Sequence, residues 1–140
     1  MSGNPPAGYK LFAAGDGNFA TLVGPLYVTD AGPQPGFMFM PAAHHGNAAG
    51  AVHGGMLMTL ADQVLGLNVH AAAGGSRIVT VSLTIEFIAG ARIGAWISGT
   101  AEITRQTRSL VFVRGELHQA GELVLAAMGI WKKIRPAPAQ

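Results

Sequence analysis

The residues of this chain that could do chemistry crowd into one stretch, NAAGAVHGGMLMTLADQVLG, residues 47–66. An amide, Asn47, precedes the triplet His53-Gly54-Gly55, and a single carboxylate, Asp62, follows among apolar and small residues. If a helix starts at the glycines, its first-turn N–H groups have no partners within the helix and carry partial positive charge. A glycine there also lets a substrate come close to the backbone. Together these suit polarisation of a carbonyl oxygen, although a merely flexible helix start explains the same glycines. Asp62 also has two readings. A carboxylate in apolar surroundings must be paired, hydrogen-bonded or used, whereas one at a helix edge can reach solvent or a neighbouring loop.

Spacing sharpens the choice. Gly54 and Asp62 are 62 − 54 = 8 residues apart, or about 12 Å along a helix. One carbonyl cannot lie within ~3 Å of both in a single chain. Either Asp62 is not catalytic, or a site combines Gly54 of one subunit with Asp62 of another.

Other chemistries find less support. His44, His45 and His53 match no familiar zinc spacing, and the absence of cysteine removes thiolate ligands, disulfides and a cysteine nucleophile. Ser76, Ser82, Ser98 and Ser109 lie in no G-x-S-x-G elbow. The glycines of GPLYVTDAGPQPG form neither a dinucleotide nor a P-loop pattern.

These residues need elements to hold them. Met56, Leu57, Leu60, Ala61, Val64, Leu65, Leu67 and Val69 recur at helical spacing, predicting a helix over residues 54–73 that is apolar on most sides and ended by the glycines of AAAGGS. VTVSLTIEF alternates, with Val79, Val81, Leu83, Ile85 and Phe87 on one face and Thr80, Ser82, Thr84 and Glu86 on the other. AWISGTAEIT, LVFVRGELHQ and LVLAAMGIWKKI read as three more strands, joined through the turns GARIG, RQTRS and AGE. Ahead of the helix, YKLFAAG reads as a short helix, TLVGPLYVTD as a strand broken at Gly24-Pro25, FMFMPAA as a strand and HHGNAAGAV as a loop. The order predicts an α+β fold, one long apolar helix against an antiparallel sheet. Residues 1–20 form an N-terminal segment, partly loose or a short helix; residues 21–134 form the single domain; residues 135–140 are a loose tail.

The pattern N-x-x-G-x-x-H-G-G, followed by TLAD and then VTVSLTIEF, resembles the PaaI-like acyl-CoA thioesterases of the hotdog-fold superfamily. The resemblance runs from about Leu22 to Ile134. It implies a hotdog fold, hydrolysis of an acyl-CoA substrate without metal or other cofactor, and dimers joined sheet edge to sheet edge that assemble into homotetramers. By the same resemblance, the Gly54 N–H next to His53 polarises the thioester carbonyl. Asp62 of the neighbouring subunit acts as general base or nucleophile, and Asn47 positions water or the leaving sulfur. Thr80 takes the place of a serine or threonine that holds the water, although it falls on the polar face of its strand. Gly55 and Met56, with Leu57 and Met58, would border the substrate. Arg105 and Arg108, and the pair Lys132-Lys133, are candidates for the CoA phosphates by charge. His53 and Asp62 also leave open a hotdog hydratase or dehydratase, and a non-catalytic acyl-CoA binding module is a further alternative.

Composition sets the outer limits. In 140 residues, 49% are hydrophobic and 11% charged, so a core is affordable and part of the surface is expected to be buried between subunits. A net charge of +2 and 7% aromatics argue against nucleic acid. No run is long and apolar enough to suggest a membrane span or a signal peptide, and a cytoplasmic location is the expectation.

Overall fold

The structure, a computed structural model, describes residues 3–134. The tail expected to be loose, residues 135–140, lies outside the described residues. The strands are β1 Lys10–Leu11, β2 Leu26–Thr29, β3 Gly36–Phe39, β4 Arg77–Phe87, β5 Ile97–Gln106, β6 Leu110–Gln119 and β7 Glu122–Ile134. The helices are α1 Phe19–Val23 and α2 Gly54–Ala72. All seven strands form one antiparallel sheet in the order β1-β2-β3-β5-β6-β7-β4, so β4 is an edge strand. The α+β hotdog arrangement expected from the sequence is the one observed.

The long helix is held by apolar packing and by two glycines that let it come close to the sheet. Leu57, Leu60, Ala61, Val64, Leu65 and Val69 of α2 are buried with Ile97, Val111, Val113, Leu117 and Leu125 of the sheet. A Cβ on Gly99 would lie 2.7 Å from the Val64 side chain, and one on Gly115 would lie 2.5 Å from Leu65. The helix therefore rests directly on the backbones of β5 and β6, and any larger residue there would push it away. At its C-terminal end, Gly75 takes a positive φ of 83° and returns its N–H to the carbonyl of His70, as the glycine run predicted.

The N-terminal part differs from expectation. Lys10 and Leu11 of YKLFAAG pair with Val28 and Tyr27 as a strand, and Phe12 N–H reaches Leu26 O at 2.8 Å, so the predicted short helix is absent there. Ladder pairing outweighs local propensity in so short a segment. The helix lies further on, at α1, where the Asn18 side chain accepts the Thr21 N–H at 3.0 Å. Thr21 to Val23, read as the start of a strand, are its last residues, and the strand begins only at Leu26.

The alternation of β4 is also corrected. The register with β7 shifts between Thr80 and Ser82, a β-bulge at Val81. Past the bulge, Leu83 and Ile85 pack on the core and Phe87 lies by Gly54, as the odd positions of the pattern require. Ahead of it the phase is reversed: Ile78 packs on the core, Thr80 reaches α2, and Val79 and Val81 are 43% and 57% exposed. One inserted residue turns every earlier side chain to the opposite face.

Candidate active site

Residues 42–53 form the approach to α2. Asn47 closes this loop on itself: its Oδ1 accepts the N–H groups of Ala49 at 2.9 Å and Ala51 at 3.1 Å, and its own N–H bonds Ala51 O. This is the local side-chain turn that asparagine favours. The Asn47 side-chain NH₂ is left over, on an exposed residue. His45 forms the other support. It is buried, Nδ1 accepts the Ala42 N–H at 2.8 Å, and Nε2 donates to the Val23 carbonyl. Its own carbonyl accepts the His53 N–H at 2.8 Å. These partners fix the neutral Nε2–H tautomer. Burial lowers its pKa below the ordinary histidine value, the Val23 hydrogen bond works against that, and neighbouring His44 lowers it further. The sequence reading singled out His45 only as a doubtful metal ligand. Its role as a clasp between α1 and the entrance to α2 depends on contacts distant in sequence.

His53 is the N-cap of α2. Its Nδ1 accepts the Gly55 N–H at 2.8 Å, and its carbonyl takes those of Met56 and Leu57. The amides of Gly55 and Met56 are thus engaged. The Gly54 N–H has no partner among the described residues. A Cβ on Gly54 would stand 3.5 Å from the Phe87 ring, an ordinary contact, and nothing in the chain's own packing requires a glycine there. Met56 and Leu57 are core residues, whereas Met58 is 44% exposed.

Asp62 lies on the half-buried side of α2 that faces β4, and Thr80 Oγ1 donates to its Oδ1 at 3.0 Å. The bulge reverses the phase of the strand here, which explains why a clean alternation hid the contact. The structure therefore pairs Asp62 with Thr80 at one point of the helix and sets Gly54, His53 and Asn47 together at its start. It does not bring the two groups together within one chain. Arg105 and Arg108 stand elsewhere again: the adjacent Gln106 reaches Ala72 O at 3.4 Å, so their turn lies by the C-terminal end of the helix. Both are exposed, and no carboxylate pairs with them among the described residues. Lys133 Nζ is bonded to Thr107 O at 3.1 Å.

A long helix gripped by an antiparallel sheet, with an unpartnered amide at its start and an acid midway, is matched by the family model of the thioesterase superfamily over residues 49–126. The chain belongs to the thioesterase superfamily. That span holds His53, Gly54, Asp62 and Thr80. A Pseudomonas aeruginosa relative, named provisionally as an esterase, is 30% identical over 131 residues, covering 91% of this chain and 96% of its own. Human acyl-coenzyme A thioesterase 13 is 28% identical over 113 residues, 80% of this chain and 81% of its own. The phenylacetic acid degradation protein PaaI of Thermus thermophilus, solved as a single-residue variant, superposes with a TM-score of 0.74 at 24% identity, over 83% of this chain and 98% of that one. This thioesterase thus has the PaaI-like hotdog fold, and no described helix is long and apolar enough to cross a membrane.

Proposed function

We propose that the protein hydrolyses an acyl-CoA thioester to a carboxylic acid and CoA, at a site shared by two subunits. The observation that carries this reading is the Gly54 N–H at the start of α2, which has no partner among the described residues and is free to donate to a carbonyl oxygen as it gains charge. In the proposed reaction Asp62 takes a proton from water as the water oxygen bonds to the carbonyl carbon. The negative charge collects on the oxygen held by Gly54. The tetrahedral species then collapses, the C–S bond breaks, and a proton passes to the leaving thiolate. Thr80 donates to one carboxylate oxygen of Asp62 and leaves the other for the water. Asn47, through its spare NH₂, is suited to steady the sulfur or the water. Arg105 and Arg108 are proposed to meet the CoA phosphates.

The shared site is supported by β4. It is an eleven-residue edge strand, and Val79, Val81, Phe87 and Ile88 on or beside it are between 43% and 57% exposed. Such an edge is a template for pairing with a second copy. Antiparallel pairing of two β4 strands about a two-fold axis at Thr84 would set Val81 of one opposite Phe87 of the other, with Thr80 next to it. Thr80 holds Asp62 and Phe87 borders Gly54. The same operation thus carries the acid of one helix toward the free amide of the other, bridging the ~12 Å that separates them along one helix. Further assembly into a tetramer, and a cytoplasmic setting, belong to this proposal.

Mixed dimers test it. Asp62→Asn and Gly54→Val chains should each be inactive alone. In a mixed dimer one site collects both defects and the other collects none. With random pairing about half the dimers are mixed, so thiol release should return to about a quarter of wild type. If mixed dimers, verified as such, are as inactive as their parents, the shared site is wrong.

A further inference from the structure

The polar side chains buried among the described residues are His45, Asn68 and Gln119. His45 clasps α1, and Asn68 bonds back to Val64 O within its own helix. Gln119, the last residue of β6, is 5% exposed and has no part in the site described above. Its amide is nonetheless engaged on both sides. Oε1 accepts the Arg92 N–H at 2.8 Å, and Nε2 donates to Arg92 O at 2.9 Å and to Ala95 O at 3.0 Å. No other side chain among the described residues bonds to the backbone of residues 90–95. The turn GARIG, residues 90–94, therefore hangs from the end of β6 by one buried glutamine. The far side of this turn meets the entrance to α2. Arg92 forms an antiparallel bridge with Ala51, and Ala91 O accepts the Val52 N–H at 2.9 Å. Ala51 is the residue on which Asn47 closes, and Val52 leads directly into His53 and Gly54.

We propose that Gln119 is a positioning residue: through the GARIG turn it sets Asn47 and the Gly54 N–H in place, without touching the substrate. The inference rests on the thioesterase reading for the reaction that these two groups serve. A glutamine suits the task because it carries an acceptor and a donor side by side, and so holds the N–H and the carbonyl of Arg92 at once. An apolar side chain of the same length would leave Arg92 N–H, Arg92 O and Ala95 O without these partners, and the turn would shift to find others. The ends of the segment are tied elsewhere, Ile88 and Ala89 to Val124 O and Gly94 to Pro41 O, so such a shift falls on the middle, where Ala51 and Val52 are attached. The Gly54 N–H has no partner among the described residues, and its direction is only as fixed as the segment that leads into it. A misplacement of ~1 Å at a reacting group costs about 10²-fold in rate.

The test pairs Gln119→Met, which keeps the length of the side chain and removes its hydrogen bonds, with Val69→Ala. The second variant lowers stability from the buried C-terminal half of α2 and touches neither the turn nor the site. Thiol release from a series of alkyl and aryl acyl-CoAs is measured for both, with hydrogen exchange at single amides. Gln119→Met should lower kcat by roughly 10- to 100-fold with KM within about threefold of wild type. Val69→Ala should lose at least as much in Tm and keep kcat within about twofold. In the wild type the Arg92, Ala51 and Val52 amides should exchange through one opening, at rates within about tenfold of one another once corrected for intrinsic chemistry. All three should exchange faster in Gln119→Met. A folded Gln119→Met with wild-type kcat, a loss confined to KM, or an equal loss of kcat in Val69→Ala overturns the proposal. If Gln119→Met does not fold, the wild-type exchange decides: a common rate sustains the proposal, and Ala51 and Val52 opening independently of Arg92 overturns it. If the wild type releases no thiol from any acyl-CoA, the thioesterase reading falls, and exchange alone decides whether Gln119 holds the entrance to α2.

Discussion

Replacing Gly54 by alanine should move stability and activity in opposite directions. An alanine Cβ at this position meets the Phe87 ring at 3.5 Å, an ordinary contact, and the backbone there does not take a positive φ. The folded chain can therefore accept the methyl group. Glycine costs a helix up to about 1 kcal/mol relative to alanine, and removing its unfolded-state freedom acts in the same sense. The variant should melt up to about 3 °C higher. The same methyl group stands beside the free N–H and keeps a thioester carbonyl from closing on it. The loss of one such donor lowers kcat/KM by roughly 10²-fold, equivalent to about 2.7 kcal/mol of barrier. Differential scanning calorimetry and a thiol-release assay on one preparation measure both effects. Alanine at 54 with a raised Tm and kcat/KM within twofold of wild type would show that no reacting carbonyl approaches this amide.

Three further outcomes follow from the same geometry. Asp62→Asn should keep the fold and lose on the order of 10²–10⁴ in kcat, read by steady-state kinetics; full turnover would remove Asp62 from the chemistry. Thr80→Val should lower kcat about tenfold with KM little changed, because it removes the 3.0 Å bond to Asp62 without touching the substrate; a change confined to KM would point instead to substrate contact. For His45, burial lowers the folded-state pKa below the unfolded value of about 6.5, so the unfolded chain takes up the proton first as the pH falls. The stability contributed by neutral His45 is complete above about pH 6.5 and is lost as the pH drops toward the lowered value. Urea midpoints should therefore fall between pH 7.5 and 5, less so in His45→Asn; equal falls would mean that another group carries the dependence.

What could be read in the sequence was whatever rests on local pattern. The helix from Gly54 showed in the spacing of its apolar residues, and its stop in the glycine run at residues 74 and 75. The strands after it showed in alternation and turn residues, and the spacing of Gly54 and Asp62 along one helix kept the two apart within a chain. What escaped depends on contacts between distant residues. The pairing of Lys10 with Val28 converts a helical-looking segment into a strand. The clasp of His45 on Val23 spans 22 residues, and the seating of α2 on Gly99 and Gly115 depends on which strands lie beneath it. Asn18 three residues before Thr21 was the one overlooked local signal, a helix cap in plain view.

The bulge at Val81 bears on how this strand tolerates change in length. The two halves of β4 are out of phase by one residue, and Thr80 meets Asp62 just ahead of that offset. Deleting Val81 would give the strand an unbroken alternation and would look harmless, even tidy, when sequences are aligned. Thr80 and Ser82 already pair with the adjacent Trp131 and Ile130 of β7, so the shortened strand would keep both pairs and leave Thr80 facing the helix. The strand thus carries one residue more than the contact between Thr80 and Asp62 requires.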